Sequence, residues 1–188
     1  MTSITAILGS VTPPGRLSSA ISGALERASA AGHSTTLIDL GQLSLGFADG
    51  RPLDQLTDDT PKLVHGVEGA DAVILATPVY RATLTGALKN ALDLLPIEAL
   101  MGKPVGVVAM GATLHHFLGA ESHLRDILSW FGAWQLPTNV YLSSADFAEG
   151  KLTEGAAGQL DSLVNALATL ADASKSLSVG PTPLAARR

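Results

Sequence analysis

The chain has 188 residues, 46% of them apolar but only 4% aromatic, with a formal net charge of -5 and no cysteine. That length suits one domain whose core is built from Ala, Leu, Val and Ile. The missing cysteine excludes disulfides, thiolate nucleophiles and CxxC redox chemistry, and no basic run marks a nucleic-acid partner.

The longest apolar runs, such as residues 72–76, are far too short to span a bilayer, so no membrane contact is expected. The first residues read straight into a strand rather than into a basic, then apolar, leader. The expectation is a cytoplasmic protein.

In chain order, residues 3–8 read as a strand and residues 9–19 as the loop that follows it. Ile21, Ala24, Leu25 and Ala28 then recur on one face of a helix ending near Gly32. A second strand is predicted over residues 34–40, and this βαβ spacing implies a parallel pair with a right-handed crossover. Between residues 41 and 60 the pattern weakens into Gly-, Asp-, Ser- and Pro-punctuated surface loop. Thr60 followed by Pro61 marks a helix start, with a hydroxyl cap and a proline at the first helical position. Leu63, Val64 and Val67 supply that helix's buried face.

A buried strand follows over residues 71–76 and runs into Thr77-Pro78-Val79-Tyr80. Pro78 ends the ladder because it lacks an amide donor. Ala87, Leu88, Ala91, Leu92 and Leu95 then recur at helical spacing, with Lys89 and Asp93 as an i,i+4 pair opposite. Residues 105–110 form another continuous apolar strand, as expected when both sheet faces are covered. A helix over residues 119–131, a last strand over 139–142 and a last helix over 154–173 complete the domain. Residues 174–188, rich in Ser and Pro and ending in two arginines, are predicted to be a mobile tail outside a 1–173 domain.

Strands alternating with helices imply an α/β, doubly wound, five-stranded parallel sheet, and five strands at this length favour the order 2-1-3-4-5. Ligands then bind beyond the carboxyl ends of the strands, where loops 9–19, 77–85 and 110–117 converge. The first loop places glycines, hydroxyls and Arg16 at a helix N-terminus, where free amides and the helix dipole attract phosphate. Arg16 can add a bidentate charge, and Ser10, Ser18 and Ser19 can donate hydroxyl hydrogen bonds. By composition alone the same loop could equally be a Ser- and Pro-rich turn with capping duties. It contains neither G-x-G-x-x-G nor G-x-x-x-x-G-K-[ST], which excludes the dinucleotide-fold and Walker readings. Tyr80, in a loop at a strand's carboxyl end, is placed to border a ring-shaped ligand. His115 and His116 lack metal-ligand spacing, so no metal site is predicted and one of them is assigned a capping or core role.

The pattern Thr77-Pro78-x-Tyr80, then Gly86-x-Leu88-Lys89-Asn90-x-Leu92-Asp93, resembles the NAD(P)H-dependent FMN reductases of the flavodoxin-like superfamily. The match tightens over Leu94-Leu95-Pro96-Ile97-Glu98-Ala99-Leu100-Met101-Gly102-Lys103-Pro104 and again at Gly111-Ala112-Thr113 with His116. These pieces are most similar to the reductases that supply reduced FMN to sulfonate monooxygenases, and the likeness spans about residues 4 to 170.

The resemblance implies a flavodoxin-like fold and an enzyme in which FMN accepts hydride from NADPH or NADH. Gly9, Ser10, Thr12, Arg16, Ser18 and Ser19 would hold the FMN phosphate, with Thr12 standing where many relatives carry arginine. Pro78, Val79, Tyr80 and Arg81 would frame the isoalloxazine and ribityl parts, and Gly111, Ala112 and Thr113 would offer amides to the pyrimidine edge. No side chain need act as acid or base, because the flavin carries the hydride chemistry. An azo- or quinone reductase on the same scaffold, or a flavodoxin-type electron carrier, is the alternative; Arg16 and the mild acidity favour the enzyme. Helices 85–95 and 119–131, with Trp130 and Trp134, carry more apolar surface than one sheet face requires, which predicts a homo-oligomer, a dimer of dimers, while the resemblance implies a flavin-dependent monooxygenase as partner. In those relatives the helix after the third loop carries an inserted residue that forms a π-bulge. Ser122 stands where a tyrosine is often found, and His123 is expected to take the bulge-forming role.

Overall fold

A computed structural model of the chain describes residues 1–12, 14–114, 117–176, 181 and 183. Four strands, β1 (Ser3–Leu8), β2 (Ser34–Asp39), β3 (Ala72–Pro78) and β4 (Pro104–Met110), lie parallel in the order β2-β1-β3-β4. The fifth position is filled by two short pieces, β5 (Trp134–Gln135) and β6 (Val140–Leu142), each parallel to β4. In register, Ala6 of β1 stands between Leu37 and Ile74, and Leu75 of β3 faces Val107. This is the flavodoxin-like order 2-1-3-4-5 expected from the sequence.

The last strand differs from its predicted span of 139–142. The chain joins the sheet earlier, at Trp134, and leaves it through Leu136 to Asn139 before returning at Val140. Leu136 still donates its amide to the Val105 carbonyl at 2.9 Å, but Pro137 has no amide to continue the ladder. A further small hairpin, β7 (Phe147–Ala148) with β8 (Lys151–Leu152), follows and has no counterpart in the sequence reading.

Alternation along the strands builds two cores, one on each face. Ile4, Ala6, Leu8, Ile74 and Ala76 pack against α1 (Arg16–Ala30) and α5 (Glu154–Ser174). Ile7, Val73, Leu75 and Val107 pack against α2 (Thr60–Glu68), α3 (Gly86–Leu94) and α4 (Phe117–Phe131). The stretch between β2 and α2 contains two single 3₁₀ turns, Leu40–Gln42 and Leu53–Gln55. Asp59 rather than Thr60 takes the cap position of α2, with Pro61 in the first turn.

The π-bulge is not formed. Residues 117–131 are α-helical throughout. The reason lies in the spacing: Ala120, Leu124, Leu128 and Phe131 are buried at steps of four, four and three, which keeps a 3.6-residue phase and leaves no extra residue to absorb. His123 is exposed, yet it is engaged with a neighbouring turn described below. The capping or core role assigned to His115 or His116 lies outside the described residues, as does most of the tail beyond residue 176. No described helix is long and apolar enough to cross a membrane.

Candidate functional site

The carboxyl ends of β1 and β3 are stitched together before any side chain reaches a ligand. Gly9 donates its amide to the Ala76 carbonyl at 2.7 Å. The Thr85 hydroxyl donates to the Gly9 carbonyl at 2.6 Å and accepts the Leu88 amide at 3.1 Å, capping α3. The Thr77 hydroxyl oxygen accepts the Thr85 amide at 3.2 Å. A Cβ at Gly9 would lie 2.8 Å from Leu88 Cβ, so only glycine lets the first loop leave β1 this close to α3.

Above this seam lies a cleft of 350 Å³, lined by Leu8, Ser10, Thr12, Pro14, Gly15, Arg16, Leu17, Ser18, Pro78, Tyr80 and Met110. None of these is a carboxylate, and Arg16 carries the one formal charge. Gly15 occupies the cap of α1 without a capping side chain, and the first turn holds no acidic residue. The amides of Arg16, Leu17 and Ser18 precede the first intrahelical bond, which Ser19 donates to the Gly15 carbonyl at 2.9 Å, and they sit at the positive end of a 15-residue dipole. Ser10 and Thr12 share a hydroxyl hydrogen bond of 2.8 Å on the rim. The Arg16 guanidinium donates to the Ser144 hydroxyl at 3.3 Å and stands 5.3 Å from the centre of the Phe147 ring.

Opposite, Tyr80 is about half exposed and opens a tight turn. The Tyr80 amide donates to the Thr83 carbonyl at 2.9 Å and the Thr83 amide returns to the Tyr80 carbonyl at 3.1 Å. The two central residues, Arg81 and Ala82, have φ of 51° and 64°. Both lie in the left-handed region, as a type I′ turn demands, at a cost of about 1–2 kcal/mol for each non-glycine residue. Val79 donates its amide to the Met110 carbonyl at 2.8 Å, joining this segment to the third loop.

The predicted site residues thus fall into three groups. Ser10, Thr12, Arg16, Ser18, Pro78 and Tyr80 line one cleft. Gly9 and Val79 build its frame through their backbones. Ser19 lies exposed within the first turn of α1, Arg81 sits exposed at the tip of its turn, and Gly111, Ala112 and Thr113 continue past Met110 without lining the cleft. Gly111 donates to the Leu142 carbonyl at 3.0 Å, and the Tyr141 hydroxyl donates to the Thr113 carbonyl at 2.7 Å. Burial pushes the Tyr141 phenol above its usual range. Larger hollows of 480 Å³ beside residues 136–140 and 410 Å³ between α3 and α4 border none of these loops.

Ser144 and Phe147 escaped the sequence reading. A signal was present: Ser143 and Asp146 form a reciprocal capping box right after β6, at the same carboxyl edge.

Against known proteins, residues 2–147 match the family model described as NADPH-dependent FMN reductase. The chain belongs to this family. Over 113 residues it is 39% identical to an NAD(P)H-dependent FAD/FMN reductase of Geobacillus thermodenitrificans, covering 60% of this chain and 61% of that one. It is 35% identical over 117 residues to the NADH-dependent FMN reductase SfnF of Pseudomonas fluorescens, covering 62% and 63%. The chain therefore spans about three fifths of the length of these curated relatives. An apo crystal structure of the NADH:FMN oxidoreductase EMOB superimposes with a TM-score of 0.77 at 27% identity, covering 100% of this chain and 97% of that one.

Proposed function

We propose that this family member is an NAD(P)H-dependent FMN reductase. The observation that carries the reading is the α1 cleft, where uncapped first-turn amides, Ser10, Thr12, Ser18 and Arg16 meet with no carboxylate among them. That donor set fits a phosphate monoester: amides and hydroxyls donate to its oxygens and the dipole favours its charge. Gly9 fixes the loop's exit and Ser19 extends the hydroxyl set. Pro78 and Tyr80 form the opposite wall, suited to a flat ring, with Val79 and Arg81 flanking it and the Gly111, Ala112 and Thr113 backbone beyond.

When bound, FMN supplies the hydride acceptor and NADPH or NADH the donor. The protein itself holds and orients. Arg16 and the α1 amides fix one end of the ligand, and Tyr80 sets the plane at the other. Relatives named for NADPH, NADH or either nucleotide support both donors as candidates.

We further propose a dimer of dimers that hands reduced flavin to a monooxygenase. Support for self-association comes from Trp130, 62% exposed beside the α3–α4 hollow lined by Leu92, Leu95 and Ile127.

The test is an FMN titration by flavin fluorescence, followed by NADPH and NADH oxidation with and without excess free FMN. Saturable FMN binding that Arg16→Ala weakens, with FMN-dependent nucleotide oxidation, supports the reading. No FMN binding at micromolar protein would overturn it.

A further inference from the structure

Tyr80 reaches the cleft on a turn that ordinary residues avoid. Arg81 and Ala82 are both held at positive φ although neither is glycine, and such conformations persist only when the surroundings enforce them. The surroundings are two residues of α4. At Gly119 a Cβ would overlap the Ala82 carbonyl oxygen, so the helix backbone itself lies against the turn. One helical turn later, His123 Nδ1 shares a 2.6 Å hydrogen bond with the Thr83 hydroxyl.

We propose that Gly119 and His123 form a clamp that keeps the Tyr80–Thr83 turn in its left-handed form and thereby positions Tyr80 against the flavin. His123 is a positioning residue: it acts through Thr83 and lies outside the cleft lining. The proposal rests on reading the cleft as the flavin site, but the clamp can be tested without any flavin. Released from α4, Arg81 and Ala82 relax toward negative φ, and Tyr80 swings off the wall it shares with Pro78 and Met110.

Arg81 makes the turn its own reporter. It is exposed at the tip, where trypsin cuts after arginine once the turn opens. In cofactor-free protein, His123→Ala should speed cleavage of the Arg81–Ala82 bond, followed by mass spectrometry, by about three- to tenfold, the span of one hydrogen bond. His123→Asn, whose carboxamide takes the place of Nδ1, should restore the native rate. FMN affinity should fall in the alanine variant and recover in the asparagine variant. Gly119→Ala, which forces the Ala82 carbonyl aside, should move both readouts like His123→Ala.

Cleavage within twofold of native in both His123→Ala and Gly119→Ala overturns the clamp. Faster cleavage with unchanged FMN affinity overturns the positioning role. Native protein that binds no FMN overturns the flavin reading and the role built on it, while the cleavage comparison still decides the clamp.

Discussion

The Thr85 hydroxyl donates a 2.6 Å hydrogen bond to the carbonyl of Gly9, 76 residues earlier, while accepting the Leu88 amide. One buried side chain therefore caps α3 and fixes the exit of the first loop from β1. Thr85→Ala removes both bonds and leaves the Gly9 carbonyl without this donor. The expected loss is about 2 kcal/mol of stability in urea unfolding, with Thr85→Ser retaining most of it.

Arg16 should separate binding from folding. Its guanidinium is exposed, held by Ser144 and resting on Phe147, so the fold does not depend on it. Arg16→Ala should weaken FMN binding by about one to two decades, the value of a charge-assisted contact of about 1.5–3 kcal/mol, with little change in melting temperature. Equal affinity in native and variant protein would remove Arg16 from the proposed phosphate site.

Trp130 tests the assembly. With 62% of its surface exposed at the end of α4, it carries a large apolar area available to a partner subunit. Trp130→Ser should shift the light-scattering mass at micromolar concentration toward the single chain, without loss of helix signal in circular dichroism. A native protein that is already monomeric contradicts the oligomer.

Acid should loosen the loop between β2 and α2. Asp58 is held down to about 2, chiefly by Thr60 and by the Gly46 amide. Its carboxylate accepts the Gly46 and Thr60 amides at 2.6 and 2.9 Å. The folded value lies below the unfolded one of about 3.9, so the contribution is present above about pH 4 and fades as pH falls toward about 2. Asp58→Asn should speed amide exchange at Gly46 at about pH 5, and the gap to native should close on acidification.

The parts of the fold set by local pattern were legible in the chain. Continuous apolar runs gave β3 and β4, and helical spacing of Ile21, Ala24, Leu25 and Ala28 gave the inner face of α1. The early entry of Trp134 into the sheet was not legible, because two residues carry no period and their pairing with Pro104 and Val105 is a tertiary fact. The loop over residues 9–19 stood out by its glycines, hydroxyls and Arg16, but Arg16's seat on Ser144 and Phe147 depends on a contact spanning 128 positions. The bulge expectation followed family likeness, while the spacing of Ala120, Leu124, Leu128 and Phe131 already specified a regular helix. His123, expected to form the bulge, instead shares a hydrogen bond with Thr83 of its own chain.

The interruption in the fifth strand also bears on solubility. No described strand pairs with the outer side of β5 or β6. A second polypeptide docking there meets two residues, a stretch containing Pro137, then three more. That is too broken a template for continuous intermolecular pairing. Replacing the stretch with β-branched residues and no proline would remove this safeguard and turn a quiet edge into a seed for fibrous association.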